Sequence, residues 1–74
     1  MRPTSVGAQL QKARTQRGWS VPTLARYAHV SAAVVMQLEQ DHLTILSARR
    51  LPQVARALAL DLAALLDSEP APSA

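Results

Sequence analysis

Apolar residues recur at three- and four-residue intervals along most of the chain. Val6, Leu10 and Ala13 form one such set, Leu24, Ala25 and Ala28 a second, and Val35 and Leu38 a third. Leu51, Val54, Ala55 and Leu58 form a fourth, and Leu62, Leu65 and Leu66 a fifth. This is the spacing at which one face of an α-helix is buried, so the pattern predicts five short helices. Capping residues mark where they start. Thr4 or Ser5 can cap a first helix from about residue 5 to Arg17, which Gly18 ends. Ser20 can cap a second, Val21 to about Ala28, where Pro22 fits because first-turn amides have no intrahelical partner. Ser31 offers the cap of a third helix ending near Glu39 or Gln40. Residues 41–46 read as a loop, Ser47 as the cap of the fourth helix, and Pro52 as late in its first turn or just past it. Asp61 begins a last turn or two, and Trp19 stands between the first two helices as a single large apolar anchor.

Composition narrows the class. The chain has 74 residues, no cysteine and two glycines, with many Ala, Leu, Gln and Arg, which favours helix at nearly every stretch. One small all-α domain over residues 5–66 is expected. Residues 67–74, with their Pro-Ala character, are expected to be a disordered tail or a linker within a longer chain. No run approaches the roughly 18 apolar residues of a membrane span. The start of the chain lacks the apolar core of a secretory signal, which together with the missing cysteines places the expected location in the cytoplasm. His29 and His42 stand alone in different loops, so neither a metal site nor another cofactor is expected. No nucleophile is recognisably paired with a base, and Gly7 and Gly18 are isolated, so the chain does not read as an enzyme.

Charge is unevenly spread. Residues 1–38 carry five basic side chains and no acidic one, whereas residues 39–74 carry three basic and five acidic ones. A cationic front half suits a polyanion such as nucleic acid, although a solvated basic face has the same composition.

One spacing carries geometry. Ala25 is small enough for a third helix to pack across it, while Leu24, Ala28, Val30, Val35 and Leu38 fill the wedge between two steeply crossing helices. This is a helix-turn-helix. Around it, the chain resembles the Cro and lambda-repressor type family over about residues 5–66. Gly7, Leu10 and Arg14 stand at the family's first-helix positions, and Gly18-Trp19-Ser20 stands for its Gly-Leu-Ser entry to the second helix. Leu24-Ala25 is its core pair, and Ser31 and Glu39 open and close the third helix. Leu51, Val54, Ala55, Ala57-Leu58 and Leu62 follow at the usual intervals. The resemblance implies a five-helix lambda-repressor-like DNA-binding domain in a bacterial or phage cytoplasm, associated with the nucleoid, and an ion pair between Arg14 and Glu39. The chain also departs from the family. Val21-Pro22 replaces a phosphate-holding Gln, His29 replaces a left-handed Gly, Asp41 is a left-handed substitute after Glu39-Gln40, and Ile45 replaces a loop proline.

The resemblance further implies that Ala32, Ala33, Val34, Met36 and Gln37 enter the major groove. Gln37 suits the N6 and N7 edge of adenine, and the apolar side chains suit thymine methyls. Arg14, Arg17, Ser31, Gln40, His42, Thr44, Arg49 and Arg50 are the candidate phosphate contacts. Arg49 and Arg50 are expected in the first turn of the fourth helix, against its dipole, as fits nearby phosphates. Leu60, Leu62, Leu65 and Leu66 offer a homodimer face, and two subunits would read half-sites ~34 to 36 Å apart. The chain thus reads as a transcriptional regulator, a repressor, bound to double-stranded DNA. The other reading is an antitoxin or co-regulator whose apolar helix 31–39 binds a protein partner.

Overall fold

The computed structural model describes residues 5–67, which form five helices and no strand. They are α1 (Val6–Gln16), α2 (Val21–Ala28), α3 (Ala32–Glu39), α4 (Ile45–Ala57) and α5 (Leu62–Asp67). Asp67, the first residue of the expected tail, ends α5, and residues 68–74 lie outside the described residues. Three serines start the first three helices as their chemistry dictates. The hydroxyl oxygens of Ser5, Ser20 and Ser31 accept from the amides of Ala8, Thr23 and Val34 at 3.1, 3.3 and 3.2 Å. Each bond satisfies an amide that the first turn leaves without a partner.

The start of α4 differs from the sequence expectation. Thr44, not Ser47, is the cap, and Ser47 is its reciprocal partner three residues on. The Ser47 amide donates to Thr44 Oγ1 at 3.0 Å and the Thr44 amide donates to Ser47 Oγ at 2.8 Å. This capping box buries Ser47 completely, at 0% exposure, with every hydrogen bond it needs. The helix therefore begins three residues earlier, and Pro52 falls in its interior. Pro52 and Ala48 are both exposed, so the carbonyl that loses its helical donor faces water.

Four helices end the same way, with a left-handed residue followed by an amide that reaches back five residues. Gly18, His29, Asp41 and Ala59 have φ of 69, 59, 57 and 55°. The amides of Trp19, Val30, His42 and Leu60 then donate to the carbonyls of Arg14, Ala25, Gln37 and Ala55 at 3.1, 3.0, 2.8 and 2.8 Å. Only the first of the four is glycine. The other three hold the conformation at a steric cost that the closing bonds offset.

The core is aliphatic. Leu10, Leu24, Val35, Leu38, Val54 and Leu58 are fully buried at its centre, with Val6, Ala13, Ala25, Ala28, Val34, Leu51, Ala55 and Leu65 around them. α3 packs against α1, α2 and α4. Gly7 lets α1 approach its end: a Cβ there would stand 2.4 Å from the Glu39 carbonyl oxygen. Leu65 corrects the expected homodimer face. It is 1% exposed and belongs to this core, while Leu60 and Leu62 pack partly against it and only Leu66 is largely exposed.

Candidate nucleic-acid interface

α3 buries Val34, Val35 and Leu38 and turns the opposite side outward. Ala33, Met36 and Gln40 are exposed along that side, with Ala32 and Gln37 half-buried beside them. Val34 is therefore a correction. At 5% exposure its side chain fills the core, and it is not available to a groove. The remaining four expected readers, Ala32, Ala33, Met36 and Gln37, share one stripe of the helix. Only Gln37 among them can hydrogen-bond a base. Its Oε1 accepts a long 3.4 Å bond from Thr44 Oγ1, and its amide protons are left as donors.

The Thr44 contact places the start of α4 against this stripe. Arg49 and Arg50 are exposed in the second turn of α4, not the first, because the helix starts at Ile45. Arg50 Nη1 donates to Gln53 Oε1 at 3.3 Å. His42 and Gln40 are exposed between the two helices. Ser31 uses its hydroxyl to cap α3, and the amides of Ala32 and Ala33 precede the first intrahelical donors, as an anion-binding helix end requires.

Arg14 and Arg17 stand elsewhere. Arg14 grips Glu39 with two parallel bonds, Nε to Oε2 at 2.6 Å and Nη2 to Oε1 at 3.0 Å, and its Nη1 donates to the Trp19 carbonyl at 2.8 Å. The two side chains are 13% and 9% exposed. The hydrogen bonding that Arg14 donates to Glu39 raises the Arg14 pKa, against the opposing effect of burial. All three of its nitrogens are engaged inside the fold, which removes Arg14 as a phosphate contact. Arg17 donates to the carbonyls of Ala13 at 3.2 Å and Leu58 at 2.6 Å and lies 5.7 Å from the centre of the Trp19 ring. Leu58 closes α4, roughly 20 Å along the helix from the end that touches Gln37. Arg17 thus ties α1 to the far end of α4, where it offsets the negative helix terminus.

Two features had no signal in the sequence. The Gly7 amide donates to Asp41 Oδ1 at 2.8 Å, a bond between residues with nothing local to link them. Tyr27 stacks on Trp19 with ring centres 4.6 Å apart and planes 16° from parallel.

A match to the model of the helix-turn-helix domain runs over residues 9–67, most of the chain and nearly all of the described fold. The chain belongs to the helix-turn-helix domain family. Such a domain is in general the DNA-binding part of a regulator. The match establishes the helix-turn-helix family at large and not specifically the Cro and lambda-repressor type. No curated protein and no solved structure matches the chain. Among the described residues no helix is long and apolar enough to cross a membrane, and no three or more His, Cys, Asp or Glu side chains are grouped to hold a metal ion.

Proposed function

We propose that this helix-turn-helix domain is a sequence-specific transcriptional regulator, a repressor, that inserts α3 into the major groove of double-stranded DNA. The observation that carries the reading is the division of α3 into a buried side of Val34, Val35 and Leu38 and an outward stripe of Ala32, Ala33, Met36 and Gln37. Gln37 reads an adenine edge, and the apolar residues meet methyl groups. Arg49, Arg50, His42, Gln40 and Thr44, with the amides at the start of α3 beside Ser31, hold phosphates on either side. Two copies pair through Leu66 with Leu60 and Leu62, so the target is an inverted repeat with half-sites ~34 to 36 Å apart. The working compartment is the cytoplasm of a bacterium or the host of a phage.

Selection of bound fragments from a random duplex library tests this reading, followed by a salt titration on the enriched sequence. An enriched palindrome and a steep loss of affinity with salt, a log–log slope near −0.9 for each phosphate held, support it. No enrichment and a flat slope contradict it.

A second reading has an observation of its own. Met36, Leu43, Ile45 and Leu46 are 50, 56, 84 and 54% exposed within one short stretch of chain. Clustered exposed apolar side chains are characteristic of protein-binding surfaces. On this reading the helix-turn-helix is the scaffold of an antitoxin or co-regulator, and the flat salt slope is its signature.

A further inference from the structure

The outward stripe of α3 lacks the commonest tool of base recognition. Guanine is read in the major groove by Arg or Lys on its O6 and N7. From Ala32 to Leu38 the helix has no charged side chain, and Glu39, the last residue, is closed off by Arg14. What remains is one amide, Gln37, and the apolar side chains of Ala33 and Met36, exposed on consecutive turns of the same stripe. In the major groove the feature that an apolar side chain can distinguish is the methyl on pyrimidine C5. Thymine and 5-methylcytosine carry it at the same position, and uracil and cytosine lack it.

Exposed cations near this stripe complement a polyanionic groove. Thr44 touches Gln37, so α4 starts beside it, and the exposed Arg49 and Arg50 follow one turn later. Cations on one side of an uncharged strip suit a groove, where phosphates form the rims and base edges the floor.

Resting on the DNA-binding reading above, we propose that α3 selects sites by the position of C5 methyl groups and accepts 5-methylcytosine where it accepts thymine. Cytosine methylation then creates sites for this domain. A substitution that removes the methyl but keeps every hydrogen-bonding group removes them.

The test uses the full chain and three random duplex pools: one with ordinary bases, one with deoxyuridine in place of thymidine, and one with deoxyuridine together with 5-methyldeoxycytidine. Binding to the best sites of the uracil pool is expected to be roughly tenfold weaker than to those of the ordinary pool, the effect of about two buried methyl contacts. The third pool recovers the affinity and enriches sites with cytosine where thymine stood. Met36→Ser, a change at a half-exposed position that leaves the core intact, shrinks the thymine-to-uracil ratio. Equal affinity for the ordinary and uracil pools, with the same site enriched from both, overturns the proposal and leaves DNA binding standing. Failure to bind any pool overturns the DNA-binding reading and this proposal with it.

Discussion

The Asp41 carboxylate accepts a hydrogen bond from the backbone amide of Gly7 at 2.8 Å, fastening the first turn of α1 to the residue that ends α3. The acceptor is an anion at the positive end of a helix, so bond and dipole act together. Asp41 also holds a φ of 57°, a conformation that Asp tolerates better than most residues. Replacing it separates the two roles. Asp41→Ala is expected to lose both and to cost about 1 to 3 kcal/mol in a urea melt. Asp41→Gly recovers the backbone part and falls between Ala and the native chain. Equal stability of the Ala and Gly variants would show that the backbone geometry contributes nothing.

Arg14 and Glu39 form the second fastening of the same helices, with two bonds and little exposure. Arg14→Ala leaves a shielded carboxylate without its partner and is expected to cost about 2 kcal/mol, as is Glu39→Ala. The double variant Arg14→Met with Glu39→Leu removes both charges and fills the space, and should be more stable than either single variant. Urea melts check this, and a double-mutant cycle of Arg14→Ala, Glu39→Ala and the two together measures the coupling. Additive losses would mean that the pair is not coupled.

How much of this was legible in the sequence depends on how local the cause is. Ser5, Ser20 and Ser31 sit directly before apolar runs and cap by bonds three residues long, so the first three helices were readable. The start of α4 is ambiguous in the sequence because Thr44 and Ser47 are both good caps and Pro52 reads as an early-helix residue. The deciding fact is that the two cap each other. The burial of Val34 is not legible in the sequence because seven of the eight residues of α3 are uncharged and mostly apolar, which leaves no polar phase to mark the outward side. Leu65 and Leu66 posed the same difficulty. The Asp41 bond to Gly7 and the left-handed Ala59 carry no local sign at all, since one joins distant segments and the other uses a residue that normally avoids that conformation.

Ala59 and His29 accordingly offer stabilising changes. Both are exposed and left-handed, at φ 55 and 59°. Ala59→Gly and His29→Gly relieve the Cβ clash at the expense of a more flexible unfolded chain, for a net gain of about 0.5 to 1 kcal/mol each. In a domain of this size that raises Tm by roughly 2 to 8 °C per substitution. Scanning calorimetry is the check, and a lowered Tm in either variant would contradict the strain argument.

Gln37 and Arg49 should fail differently on DNA. Gln37→Ala is expected to relax preference at one base pair by about 1 to 3 kcal/mol. Arg49→Ala should weaken all sequences alike and reduce the salt slope by about 1. Competition binding against single-base variants of an enriched site distinguishes them. An unchanged base preference in Gln37→Ala would remove that residue from the reading stripe.

Amide NMR of the 74-residue chain during titration with duplex DNA tests, residue by residue, whether the outward stripe of α3 is the surface that meets DNA. Saturable shifts are expected at residues 31–40 and 44–50, with little change along α5. Shifts centred on α5 or on the Trp19 and Tyr27 stack, with α3 unmoved, would contradict it.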